Sequence, residues 1–243
     1  MITGREVWEG YERVLIELNG HTGFVVLPKA WRDGKKWIWR AEFFGAFDYA
    51  DRALLKDGYA LAYYRVSDMY GCPEAVRLMK GFHDFLVREM GLCEKTVLFG
   101  FSRGALYSVN YAAAHPEDVA CLYLDAPVLD IKSWPGGMGK AERREECWRE
   151  CLAWYHLTED TVAEFRGNPM EHAEDLAKAG IPVLIVAGDA DRGVPIEENT
   201  LPFLSKMEQA GGEIRVILKP GVDHHPHSLS KPKPIVEYIE ARY

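Results

Sequence analysis

Three short stretches of this chain carry residue types that can do chemistry together. The first is Gly100-Phe101-Ser102-Arg103-Gly104, a G-x-S-x-G pattern. An apolar run of strand type, Thr96-Val97-Leu98-Phe99, precedes it, and a helix-like run from Ala105 to Ala114 follows. Between a strand and a helix this pattern makes a tight turn that lifts the serine hydroxyl above the sheet. Side chains at the two glycine positions would collide with the flanking strand and helix, and the serine backbone is strained. A chance match is the competing reading, since Gly/Ser patterns recur in long chains. The strand-helix context is what favours Ser102 as a nucleophile.

A serine hydroxyl is a weak nucleophile until a base takes its proton, and that base needs an acid to orient it. An acid is offered by Gly188-Asp189-Ala190-Asp191, at the carboxyl end of the apolar run Ile181–Ala187. Open α/β sheets place their sites at such strand ends. Asp191 lies past the turn and can aim back across the sheet edge. Asp189 is better placed to brace the loop by accepting backbone N–H bonds, so Asp191 is the preferred acid. A base is offered by Gly221-Val222-Asp223-His224-His225-Pro226-His227, after the last apolar run. His224 comes first after the strand-end turn and is the preferred base, with His225 and His227 left over. Three imidazoles within four positions also admit a metal site for zinc or copper. Against it, the run lacks a helical i, i+4 pair and contains Pro226. A second metal reading, Cys147 and Cys151 with His156, has poor ligand spacing, and packing on the inner face of a helix is the simpler account.

The elements that must hold these residues alternate regularly. Asn19-Gly20 separates the strand-like runs Arg13–Leu18 and Thr22–Pro28, a hairpin signal. Strands are predicted at Lys36–Arg40, Tyr59–Tyr64, Thr96–Phe99, Ala120–Asp125, Ile181–Ala187 and Ile214–Leu218, and helices at about Phe47–Lys56, Pro73–Met90, Pro195–Gln209 (in part) and Pro234–Arg242. Apolar strands alternating with helices imply a mostly parallel twisted sheet with helices on both faces and the hairpin as an antiparallel edge. More than a crossover is needed to account for the long connection before Ile181. It reads as a small helical cap, residues 130–172, inserted in a single domain spanning 1–243.

The whole pattern resembles the α/β-hydrolase superfamily over nearly the full length. Gly100–Gly104 resembles its elbow, Gly188–Asp191 with Val194-Pro195 its G-x-x-D acid loop, and Gly221–His224 its G-x-x-H base loop. The motifs come in the superfamily's order of serine, acid, histidine. The resemblance implies catalysis by Ser102, Asp191 and His224, carboxylesterase-type chemistry and no cofactor or metal. It also implies an oxyanion hole with the Arg103 N–H as one donor. The His-Gly segment common after the third strand is missing. Trp39-Arg40-Ala41-Glu42-Phe43-Phe44-Gly45 stands there, so Glu42 or Phe43 is expected to give the second donor.

Trp134, in a Ser-Trp-Pro-Gly-Gly loop after a strand end, is expected to stack on substrate, with Arg40, Trp39 and Phe44 near the mouth. Flat rings suit a carbohydrate or aryl ester. Core packing is the plainer reading for most of these aromatics, and Arg40 and Glu42 are placed to pair with each other. The same triad on a peptide, thioester or carbon–carbon bond, or a ligand-binding protein that retains the fold, are the alternatives.

With 243 residues, 48% of them hydrophobic, the chain can bury a large core. Its formal net charge of −8 offers no basic face for a nucleic-acid backbone. Five cysteines in scattered positions are not a disulfide framework. No run reaches a membrane span's length and the first residues are not signal-like, so a cytoplasmic protein acting on a small molecule is expected. A homo-oligomer is left open.

Overall fold

Asn19 and Gly20 adopt φ of 51° and 78°, the left-handed pair that a tight hairpin between right-twisted strands requires. They join β2 (Tyr11–Leu18) to β3 (His21–Val26) in the computed structural model, which describes residues 1–243. Seven further strands complete one sheet: β1 (Ile2–Trp8), β4 (Trp37–Arg40), β5 (Ala60–Tyr64), β6 (Thr96–Phe101), β7 (Val119–Asp125), β8 (Val183–Gly188) and β9 (Ile214–Lys219). Their spatial order is β1-β2-β3-β5-β4-β6-β7-β8-β9. Pairing is antiparallel from β1 to β5 and parallel from β5 to β9. The sequence reading omits β1. Its sequence, Ile-Thr-Gly-Arg-Glu-Val-Trp, is broken by polar and charged residues and is mostly exposed, so it gives no apolar run.

The central strands are buried on both sides, which is why they read as unbroken apolar runs. Trp37, Trp39, Leu98, Leu122, Leu124, Val183 and Ile185 enter the larger core, under α2 (Pro73–Met90), α3 (Gly104–Ala114), α5 (Ala173–Lys178) and α6 (Thr200–Gln209). Ile38, Leu61, Val97, Phe99, Cys121, Tyr123, Leu184 and Val186 point the other way, under α1 (Tyr49–Lys56) and α7 (Lys233–Glu240). The connection from β7 to β8 holds α4 (Glu145–Tyr155), two 3-10 turns and α5. Trp148, Cys151 and Val162 from that segment join the larger core, so it is anchored to the main body.

Two expected mouth residues lie inside. Trp39 is buried against Phe82 and Tyr111. Arg40 is equally buried, with Nε and Nη2 on Asp51 of α1 at 3.1 and 2.7 Å and its guanidinium 3.7 Å from the Phe101 ring centre. The expected pairing of Arg40 with Glu42 does not form: β4 ends at Arg40, Glu42 lies in the loop beyond it against Gly104 and Arg103, and Arg40 finds its partner on α1. Burial pushes the Asp51 carboxyl above its ordinary pKa, and Arg40 opposes that shift. Breaking such a pair typically costs about 3–5 kcal/mol. Arg40 Nη2 also donates to the Ala46 carbonyl at 3.2 Å, so the pair fixes the loop after β4. Phe44 packs on Phe24, Tyr63 and Trp8, beside the N-terminal strands and away from Ser102.

Candidate active site

Ser102 stands at the turn between β6 and α3 with φ of 50°, a strained value for a residue with a Cβ. Its backbone is fastened on both sides: its N–H donates to Asp125 O at 2.8 Å, and its carbonyl accepts from the Val128 N–H at 3.0 Å. The flanking glycines have steric reasons. A Cβ on Gly100 would lie 2.8 Å from the Ala105 Cα, and one on Gly104 3.2 Å from the Glu42 Cβ. The turn therefore brings β6, α3 and the loop after β4 into one small volume around the hydroxyl.

The acid and base loops converge on that hydroxyl. Ser102 Oγ lies 3.0 Å from His224 Nε2, and His224 Nδ1 lies 2.8 Å from Asp191 Oδ2. The carboxylate accepts the Nδ1 proton, which leaves the Nε2 lone pair facing the serine. Asp191 Oδ1 accepts the Val194 N–H at 2.7 Å, so both oxygens of this fully buried carboxylate are occupied. Asp189 has the bracing part: its Oδ1 accepts the Gly221 N–H at 2.6 Å.

Asp223 ties the two loops together. It accepts from the Arg192 N–H at 2.8 Å and Nε at 2.7 Å, and from the His224 N–H at 2.8 Å. The backbone and side-chain bonds from Arg192, then the His224 N–H, hold its carboxyl down at about 2. A depressed carboxylate pKa contributes stability above the unfolded value that is lost only as pH falls through the folded one. The brace thus persists down to about pH 2 and is intact wherever an imidazole titrates. Packing holds the same junction: a Cβ on Gly188 would lie 2.1 Å from the Val222 carbonyl oxygen. Gly188→Ala is expected to cost about 1–3 kcal/mol of stability and to lower kcat by at least about tenfold as the base loop is pushed from the acid loop. Thermal melts and steady-state rates check this, and an unchanged kcat would refute it.

The N–H groups of Arg103, Glu42 and Phe43 donate to no acceptor in the chain. Phe43, at φ of 55°, lines a pocket of about 210 Å³ beside Ser102, with Ala46, Phe47, Phe101, His225 and His227. The Arg103 side chain is turned aside. Its Nη2 lies 2.8 Å from Asp68 Oδ1 and 3.4 Å from Glu42 Oε2, and the guanidinium faces Phe43 and Tyr70. Burial raises the Glu42 carboxyl pKa, against the pull of Arg103. On the other side of Ser102 opens a cleft of about 760 Å³ whose lining includes Trp134, Lys140, Glu142, Arg144, Arg192 and His225. Trp134 is therefore beside the serine, and the charged residues from the β7–β8 connection are site features that sequence reasoning missed.

Sequence reasoning also missed a second Asp–His pair. His227 Nδ1 lies 2.8 Å from Asp125 Oδ1, and the other Asp125 oxygen accepts from the Tyr123 hydroxyl at 2.8 Å and the Ser228 N–H at 2.9 Å. A carboxylate closing the apolar run Cys121–Leu124 was the available signal. Desolvation, then the neighbouring His227 and His224, lowers the His225 pKa. Two groups of side chains come close enough to share a metal ion: His224, His225 and His227, and His115, Glu117 and Asp118. Cys147 and Cys151 belong to neither; both pack on the larger core, and all five cysteines are free thiols. No helix is long and apolar enough to cross a membrane.

A mostly parallel sheet flanked on both faces, with an elbow serine at the end of a central strand, is the arrangement of the α/β-hydrolase superfamily. Within that superfamily the family model of the prolyl oligopeptidase family (Peptidase_S9) matches residues 59–243, and the chain belongs to that family. No curated protein sequence matches it. Its fold is shared with a Bacteroides ovatus protein provisionally assigned as a dipeptidyl aminopeptidase IV, at 15% identity and a TM-score of 0.71, over 96% of this chain and 36% of that one. A puromycin-hydrolyzing peptidase of Mycobacterium tuberculosis aligns at 15% identity and 0.68, over 91% of this chain and 36% of that one. An S-formylglutathione hydrolase from Agrobacterium tumefaciens aligns at 15% identity and 0.66, over 99% of this chain and 96% of that one. The chain thus spans about a third of the length of the two peptidases and nearly all of the third protein.

Proposed function

We propose that this chain hydrolyses small carboxylic esters through an acyl-enzyme on Ser102, with His224 as general base and acid and Asp191 as its orienting carboxylate. The observation that carries the reading is the unbroken Ser102–His224–Asp191 chain at 3.0 and 2.8 Å, opening onto a cleft. Ser102 Oγ attacks the acyl carbonyl carbon while its proton passes to His224 Nε2. The oxyanion forms against the N–H groups of Arg103 and Phe43. Each such donor is typically worth about 2.7–4 kcal/mol in the transition state. Collapse breaks the ester bond, and the leaving alkoxide takes the proton from His224. Water then loses a proton to His224, attacks the acyl carbon and releases the acid, restoring the Ser102 hydroxyl.

The two cavities suit a divided substrate. The small aromatic-lined pocket favours a short apolar group next to the scissile bond, and the wider charged cleft favours the polar remainder. Residues 130–172 act as a cap over that cleft, and Trp134 offers a ring face to an aryl group or a sugar. The similarity in length to the S-formylglutathione hydrolase supports an ester or thioester substrate. Membership of the prolyl oligopeptidase family favours a peptide bond as the second reading.

A burst of p-nitrophenol from p-nitrophenyl acetate, stoichiometric with protein, tests acylation, and matched ester, thioester and amide substrates separate the two readings. Amide turnover matching or exceeding ester turnover would overturn the first. Phe47→Ala widens the small pocket and is expected to shift kcat/KM toward longer acyl chains by about tenfold relative to acetate. An unchanged chain-length profile would count against this pocket as the acyl site.

A further inference from the structure

We infer that His224, His225 and His227 form a binding site for a divalent transition-metal ion such as Zn²⁺, and that the bound ion switches the hydrolase off by engaging His224 Nε2 in place of Ser102. The binding half stands by itself; the switch rests on the ester-hydrolase reading above.

Geometry is the first support. One nitrogen from each of the three rings lies within 4.8 Å of the others. The rings are nearly perpendicular in pairs, with interplanar angles of 71°, 80° and 88° and centroids 4.7 to 5.0 Å apart. An imidazole lone pair lies in the ring plane, so edge-on rings can aim three lone pairs at one point where stacked rings cannot. His225 is exposed with its ring stacked on Phe47, and it closes toward Zn–N bonds of about 2.0–2.1 Å by turning off that ring.

The carboxylates behind the rings are the second support. Metal-bound histidines almost always donate their other N–H to a carboxylate, carbonyl or water, which fixes the tautomer and raises ligand basicity. Two of these three do so already: His224 Nδ1 to Asp191 and His227 Nδ1 to Asp125, both at 2.8 Å. Both carboxylate side chains are fully buried, so two negative charges lie just outside the place a dication would occupy.

His227 is the third support. It is only 6% exposed, yet ester hydrolysis gives it no task. Its Nε2 has no partner in the chain, and the residue faces the pocket beside Ser102. Asp125 is in turn held by Tyr123 and Ser228. Packing alone does not require a carboxylate held by two further groups to orient the His227 ring. An all-nitrogen set selects zinc, copper, nickel or cobalt over the oxygen-seeking magnesium and calcium. Water fills the fourth position.

The test uses the full-length Ser102→Ala protein, so that binding is read apart from turnover. Calorimetry with ZnCl₂ is expected to give one ion per chain, and Co²⁺ to give the visible absorption of tetrahedral nitrogen coordination. His225→Ala and His227→Ala are each expected to weaken Zn²⁺ binding at least about tenfold, and Asp125→Asn by about 10–100-fold. Far-UV circular dichroism checks each variant's fold. Should His227→Ala fail to fold, the exposed His225 carries the test. In the native protein Zn²⁺ is expected to stop p-nitrophenyl acetate turnover and EDTA to restore it. Absence of binding at millimolar zinc, or equal affinity in the histidine variants, would overturn the site. Full turnover with zinc bound would overturn the switch alone. Zinc binding to a protein that turns over no ester would overturn the hydrolase reading and leave the site standing.

Discussion

Ser102→Ala is expected to lower ester turnover by roughly a million-fold while leaving the fold intact. The hydroxyl makes one hydrogen bond in the structure, to His224 Nε2 at 3.0 Å, and nothing else in the molecule depends on it. The strain at φ of 50° is carried by the backbone and by the presence of a Cβ, which alanine keeps. The turn is held by the Asp125 carbonyl and the Val128 N–H, neither of which touches the side chain. Melting temperature should therefore stay within a few degrees while the acetate burst disappears. The variant should also take up no fluorophosphonate adduct by mass. Residual catalysis would come from the Arg103 and Phe43 N–H groups and from substrate binding. Turnover within about tenfold of the parent would mean that another nucleophile does the work.

The elements that carry the site were legible because their burial pattern is extreme. Val97–Phe99, Cys121–Leu124 and Val183–Ala187 are apolar at every step, which only a strand covered on both faces tolerates. Both glycines of the elbow and the two Asp/His loops are local signals, and their order along the chain joins them. What was not legible depended on partners distant in sequence. Arg40 read as a mouth residue because a charge at a strand end usually reaches water; its partner Asp51 lies on α1 and draws it inward. Phe44 read the same way until the N-terminal strands supplied Phe24 and Trp8 to cover it. β1 was invisible because an exposed edge strand needs no apolar run. His227 looked spare, since only the register of β7 shows that Asp125 ends beside it.

The choice between Asp191 and Asp189, two residues apart and identical in side chain, is the second place where a large effect is expected. Asp191→Asn should lower kcat by about ten-thousand-fold with little change in KM. The reasoning runs through the tautomer. Asp191 Oδ1 accepts the Val194 N–H at 2.7 Å, and asparagine keeps that bond only by turning its carbonyl oxygen to Val194. Its NH₂ group then faces His224 Nδ1, which must accept rather than donate. The imidazole proton moves to Nε2 and points at Ser102, where a base is required. Raising the pH cannot restore the Nε2 lone pair, so the loss should persist across the alkaline range. Asp189 differs because its Oδ1 accepts a backbone N–H from Gly221. An asparagine oxygen accepts that bond equally well, so Asp189→Asn should stay within about tenfold of the parent and cost on the order of 1 kcal/mol of stability at most. Stopped-flow acylation of both variants, with thermal melts beside it, separates the roles. A severe loss in Asp189→Asn with a mild one in Asp191→Asn would reverse the assignment of the acid.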